Sequence, residues 1–174
     1  MSDKPAIPVY KVVVAGDGAV GKTSIIRRFC EGKFEASRVM TIGVDFHTKV
    51  VNIQGTVIKL SVWDIAGQER FGSFRDRFYK GARSVALVYD VTRPDSFTNL
   101  AVWREEILKI VPGVKMLLVA NKIDLKDHQV QREEARAWGR SMGMPFLETS
   151  AFDGRNIDRF FGGLGYLALR ADTP

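Results

Sequence analysis

Apolar residues fall along this chain in short continuous runs separated by amphipathic stretches. Tyr10–Ala15 (YKVVVA) is β-branched and short enough for a buried strand, and it leads through a glycine-rich turn into KTSIIRRFC, whose apolar spacing is helical. HTKVVNI and VIKLSVWDI read as two strands, and Gln54 and Gly55 between them predict a hairpin, so the pair is expected to be antiparallel. Further on, the runs SVALVYDV, KMLLVANKI and PFLETSA alternate with the helical segments FTNLAVWREEILKIV and QREEARAWGRSM. Continuous apolar strands alternating with helices predict an α/β fold, with a mainly parallel sheet covered on both faces. The last helix, NIDRFFGGLGYLALR, carries Gly162, Gly163 and Gly165, each about 0.8–1 kcal/mol less favourable than alanine inside a helix. Either that helix frays or another backbone approaches it closely.

Bulk properties narrow the picture. A chain of 174 residues is expected to form one domain with a substantial core, here residues 9–171, preceded by a flexible start at 1–8 and followed by a short end at 172–174. With 45% apolar and 26% charged residues, the composition excludes a disordered chain and a membrane-spanning one. Cys30 is the single cysteine, which excludes an internal disulfide and a cysteine zinc site and fits a reducing compartment. The start of the chain lacks the apolar run of a signal peptide and no stretch reaches the roughly 20 apolar residues of a transmembrane helix, so a cytoplasmic location is expected. The formal charge of +6 is scattered and partly matched by acids, with no aromatic-basic recognition motif, so no nucleic-acid partner is expected.

Candidate chemistry begins at GDGAVGKT, Gly16–Thr23, which fits GxxxxGK[ST] between a predicted strand and a predicted helix. Glycine at 16 and 21 lets the backbone turn sharply and aim N–H groups at phosphate oxygens, and the following helix dipole adds positive potential. Gly18, Ala19, Val20 and Ser24 complete the predicted phosphate-binding segment. Lys22 is placed to reach the β and γ phosphates, and the Thr23 hydroxyl to ligate magnesium. NKID, Asn121–Asp124, follows the predicted strand KMLLVA and therefore sits at a carboxyl end, where open α/β sheets bind ligands. A carboxylate there can accept from both the N1–H and the 2-amino group of guanine, a donor pair that adenine lacks, so Asp124 argues for GTP.

GDGAVGKT, TIGVDF, WDIAGQERF, NKID and TSA occur in that order, and over nearly its whole length the chain resembles the Ras superfamily of small GTPases. IGVDF, AGQERF, FYKGA and VYDVT look most like the Rab branch. The resemblance implies a P-loop NTPase small G domain with a six-stranded sheet, mainly parallel with one antiparallel strand. It also implies a Mg2+-dependent switch that hydrolyses GTP to GDP and regulates membrane traffic. A Ras- or Ran-like GTPase and a constitutively GTP-bound interaction module are the alternatives.

Residue by residue, the resemblance implies that Phe34 meets the guanine, that Asn121 braces the loops, that Lys122 covers the base, and that Ser150 and Ala151 complete the pocket. The family usually has lysine after that Ser-Ala pair; Phe152 stands there instead. It is expected either to stack on guanine opposite Phe34 or to turn away into core or solvent. Asp64 is expected to hold magnesium through water, and Gly67 to bring its N–H to the γ-phosphate. Gln68 is expected to orient the attacking water, and Thr41 to ligate magnesium only with GTP bound. Phe46, Trp63 and Phe78 correspond to an aromatic trio offered to effectors, with simple burial as the alternative. Exchange factor, activating protein and effector are the expected partners of a monomer.

Arg38 lies three residues before Thr41, in RVMT. The α subunits of heterotrimeric G proteins carry a catalytic arginine in cis at the same spacing, within RVKT. Arg38 is therefore either a catalytic group in cis or a solvated, partner-facing charge. The sequence ends LALRADTP without a prenylation cysteine, so membrane contact is expected only through a tail or partner.

Overall fold

The computed structural model describes residues 5–32, 34, 41–68 and 72–171. The readings made for Arg38, for the end at 172–174 and for the first four residues of the expected flexible start lie outside the described residues.

Among the described residues six strands form one sheet in the order β2-β3-β1-β4-β5-β6. They are β1 (Val9–Ala15), β2 (Val44–Ile53), β3 (Thr56–Ile65), β4 (Ser84–Asp90), β5 (Lys115–Asn121) and β6 (Phe146–Glu148). Only β2 runs antiparallel, pairing with β3 from Val44↔Ile65 to Ile53↔Thr56. The turn between them uses positive φ at both Gln54 (51°) and Gly55 (90°), the geometry that matches the twist of a two-residue hairpin. The α/β reading and the antiparallel hairpin both hold.

Strand alternation sorts the core into two layers. Val12 and Val14 face one way with Ala86, Val88, Leu117 and Val119. On that face lie helices α1 (Lys22–Glu31) and α6 (Ile157–Arg170). Val13 and Ala15 face the other way with Val85, Leu87, Tyr89 and Leu118. There α2 (Gly72–Tyr79), α3 (Pro94–Thr98), α4 (Leu100–Ile110) and α5 (Arg132–Ser141) cover the sheet. Because β1, β3, β4, β5 and β6 are parallel, their carboxyl ends open on one edge, the place where such sheets bind ligands.

Two local expectations change, and one helix is added. FTNLAVWREEILKIV is two helices: Asn99 separates α3 from α4 and sends its side chain to the loop after β1. α2 was not read from the sequence, its apolar positions being sparse among charged ones. In α6 no foreign backbone accounts for the glycines: a Cβ on Gly165 would lie 2.9 Å from Ile53 Cδ1, while Gly162 faces open space. At Gly165 the lost side chain makes room for the β2–β3 hairpin.

Candidate functional site

The loop between β1 and α1 is shaped by its glycines. Gly16 has φ +141°, and a Cβ there would lie 2.2 Å from the Val88 carbonyl oxygen. Gly21 has φ +100°, and a Cβ would lie 2.2 Å from Asn121 Nδ2. Neither position admits a side chain. Ala19 adopts φ 63°, a left-handed conformation that costs a residue bearing Cβ about 1–2 kcal/mol and fits a strained functional turn. Lys22 opens α1 with a buried side chain whose Nζ donates to the carbonyls of Gly16 (2.7 Å) and Asp17 (2.6 Å). Burial draws its pKa down to about 8 against the opposing pull of Asp64 and Asp17.

Beside the loop, three oxygens converge. The Thr23 hydroxyl donates to Asp64 Oδ2 at 2.5 Å and lies 2.8 Å from the Thr41 hydroxyl, which reaches the same carboxylate oxygen at 3.4 Å. Asp64 is fully buried and, among the described residues, its Oδ1 has no hydrogen-bond partner. Burial pushes its pKa up, and the Thr23 bond and the Lys22 charge oppose that only in part. A buried carboxylate with one unpartnered oxygen, flanked by two hydroxyls, is a hard-oxygen donor set suited to Mg2+.

At the other end of the site, β5 ends in Asn121, which is buried and donates to the Val20 carbonyl at 2.9 Å while accepting from Thr149 Oγ1 at 3.0 Å. Lys122, at φ 68°, donates to the Ala19 carbonyl at 2.7 Å and pairs with Asp90 at 2.8 Å. The Ser150 hydroxyl donates to Asp124 Oδ1 at 2.7 Å, which fixes that carboxylate.

Between these two ends lies a cavity of about 690 Å³, within the range of nucleotide-sized ligand sites. Its walls include Gly18, Ala19, Gly21, Lys22, Thr23, Ser24, Phe34, Thr41, Gly67, Gln68, Asn121, Lys122, Asp124, Ala151 and Phe152. Gly16, Val20, Asp64 and Ser150 stand behind the wall and hold it through the contacts above. Phe152 is 62% exposed, so it is not turned into the core. Its ring meets Phe34 edge to face with centroids 5.4 Å apart, too close for a base to enter between them. The two rings form one composite wall of the cavity. Gly67 presses on the phosphate loop, where a Cβ would lie 2.2 Å from Gly18 N and 2.6 Å from the Gly16 oxygen.

The chain matches the Ras family over residues 11–168. It is 41% identical to the GTP-binding protein ypt1 of Schizosaccharomyces pombe over 88% of this chain and 76% of that one. It is 42% identical to Rab-1D of Dictyostelium discoideum over 87% of this chain and 76% of that one. Against Rab-13 of Bos taurus the identity is 42%, over 90% of this chain and 78% of that one.

The chain belongs to the Ras family.

Within that family its relatives place it on the Rab branch, as a GTPase that binds GTP and GDP. The cavity runs from the glycine loop to the end of β5. Sequence reasoning missed several residues that build it. Asp17 is held by Asn99 Nδ2 (2.7 Å) and Trp103 Nε1 (2.8 Å), and Arg93 donates to the Gly18 carbonyl at 2.8 Å. Arg75 reaches the Gln68 carbonyl at 3.2 Å. The partners of Asp17 and Gly18 are far apart in sequence, and none of these contacts belongs to a motif, so the only signal available was an aspartate inside a glycine loop.

Outside the cavity, Phe46 is 53% exposed and meets Trp63 edge to face at 4.5 Å, while Trp63 and Phe78 lie 6.3 Å apart. Lys11 Nζ sits 3.3 Å from the centre of a Trp63 ring. The trio is contiguous and only partly buried. Among the described residues, no helix is long and apolar enough to cross a membrane.

Proposed function

We propose that this protein is a Rab-like switch whose two states differ in how the phosphate end of the cavity is engaged. The observation that carries the reading is the convergence of Thr23, Thr41 and Asp64 beside the glycine loop. Thr23 and Thr41 would hold Mg2+, with Asp64 supporting it, and the ion would neutralise phosphate charge. Gly16 to Ser24 cradle the phosphates, with Lys22 countering their charge. Gly67 and Gln68 supply the γ-phosphate contact and the orientation of water. Asn121, Lys122, Asp124, Ser150 and Ala151 form the guanine end, with Phe34 and Phe152 as its aromatic wall.

Thr41 and Gly67 each belong to segments that meet the phosphate end, so loss of the γ-phosphate releases both, an order-to-disorder switch. Phe46, Trp63 and Phe78 are the proposed effector surface, and residues 9–171 the G domain. The protein acts as a monomer in the cytoplasm, with exchange factor, activating protein and effectors as partners in membrane traffic. Membrane contact comes through a lipidated tail or a partner.

A constitutively GTP-bound module is disfavoured because Thr41, Gly67 and Gln68 all line the cavity. Phosphate release from GTP-loaded purified protein tests the proposal: turnover that needs Mg2+ and falls with Gln68→Leu supports it, whereas no release under any condition supports the module.

A further inference from the structure

We propose that Arg75 is a positioning residue for Gln68, fixing the main chain of the catalytic glutamine against α4 and the phosphate loop. The inference rests on the assignment of Gln68 as the residue that orients water.

The guanidinium of Arg75 is buried within a set of directed contacts. Its Nε and Nη2 donate to the two oxygens of Glu106 at 2.9 and 2.8 Å, while Nη1 donates to the Gln68 carbonyl at 3.2 Å. Tyr79 donates to Glu106 Oε1 at 2.8 Å, fixing the carboxylate that grips the arginine. The guanidinium carbon lies 4.2 Å from the centre of the Trp103 ring, and the indole N–H of Trp103 donates to Asp17 of the phosphate loop at 2.8 Å. One planar group thus links Gln68 to a helix and, through an indole, to the loop that would hold the phosphates. A planar fork suits this arrangement because it can grip a carboxylate with two donors, present a third elsewhere and lie over a ring; an ammonium cannot do all three.

Packing of α2 on α4 explains the Glu106 grip and the Tyr79 bond. It gives no reason for the third donor to meet the carbonyl of Gln68, seven residues away in sequence. Placement matters here because a misplacement of about 1 Å at a reacting centre can cost on the order of 100-fold in rate.

The test is single-turnover hydrolysis by protein preloaded with GTP and Mg2+, comparing native, Arg75→Ala, Gln68→Ala and the double variant. Arg75→Ala is expected to slow hydrolysis about 10- to 100-fold, yet to change the rate by less than about 2-fold when Gln68 is already alanine, since sites that act through one group are not additive. Arg75→Lys is expected to be as slow as Arg75→Ala. A native rate in Arg75→Ala or Arg75→Lys overturns the proposal, and so does an equal slowing with and without Gln68. If Gln68→Ala itself hydrolyses at the native rate, the assignment of Gln68 falls and the inference with it. If Gln68→Ala is slow and Arg75→Ala is not, only the inference falls. Should Arg75→Ala not fold, Glu106→Gln removes one of the two acceptors at nearly constant volume and carries the same non-additivity test, with equal slowing in both backgrounds as the overturning result.

Discussion

Trp103 on α4 donates its indole N–H to Asp17 in the phosphate loop at 2.8 Å, across 86 positions of sequence. A helix on one face of the sheet thereby holds the loop at its edge. Trp103→Phe keeps a ring beneath Arg75 but deletes this donor, leaving Asn99 on the Asp17 carboxylate among the described residues. A hydrogen bond to a charged group contributes about 1.5–3 kcal/mol, and partial exposure of Asp17 lowers that to about 1–2 kcal/mol. Release of fluorescent GDP is expected to quicken about 5- to 30-fold, and an unchanged release rate would show that Asn99 suffices.

Asp64 has one oxygen shared by two threonines and one without a partner among the described residues. Asp64→Asn keeps the shape but removes the charge that draws a divalent cation. Magnesium titration of nucleotide release is expected to show at least about a 10-fold weaker dependence on the ion, about 1.4 kcal/mol. An unaltered titration would place the cation elsewhere.

Gly67→Ala forces a Cβ into the backbone of Gly16, Asp17 and Gly18. None of those atoms is the free end of a flexible side chain, so residues 66–68 must withdraw from the loop. Hydrolysis is expected to drop on the order of 100-fold while GDP affinity stays within a few-fold. Normal turnover in that variant would show that the contact is not needed for chemistry.

How much of this was legible in sequence depends on whether a residue acts inside a contiguous motif. Gly16, Gly21, Lys22 and Thr23 could be read because strand, loop and helix follow one another and the chemistry of phosphate demands those types in that order. The same holds for Asn121 and Asp124 at the end of β5. Arg75, Glu106, Trp103 and Asp90 could not, since each acquires its role from a neighbour brought close only by packing. Asn99 was hidden differently: an unbroken amphipathic pattern concealed the step between α3 and α4. Phe152 was noticed, but its contact with the ring of Phe34 was not. For Arg38, which lies outside the described residues, sequence leaves two roles, and single-turnover hydrolysis by Arg38→Ala separates them.

Removing Phe152 tests the composite wall. Base stacking on an aromatic contributes about 1–3 kcal/mol; edge contact with Phe34 places this ring at the lower end, so Phe152→Ala is expected to weaken GDP binding about 5- to 30-fold. Calorimetric titration with GDP checks this, and native affinity would assign the ring to its neighbour alone.

Lys11 offers a pH signature. Its ammonium donates to the Lys80 carbonyl at 2.8 Å and sits over Trp63, yet burial lowers its pKa from 10.5 to about 8. Between about 8 and 10.5 the folded state binds fewer protons than the unfolded one, so this group makes stability rise with pH across that window. Tryptophan emission is expected to titrate near pH 8 as the cation leaves the ring, and to lose that step in Lys11→Met. A step that persists in the variant would assign it to another group.

The contacts of Lys122 and Asn121 couple the two ends of the site. Both grip the glycine loop, through Ala19 and Val20, so the end of β5 and the loop after β1 form one mechanical unit. At the other end of that loop Lys22 donates to the Gly16 and Asp17 carbonyls, and Thr23 meets Thr41 and Asp64. The loop is therefore braced from β5 on one side and from β3 on the other, and neither end of the cavity can shift without carrying the loop backbone with it.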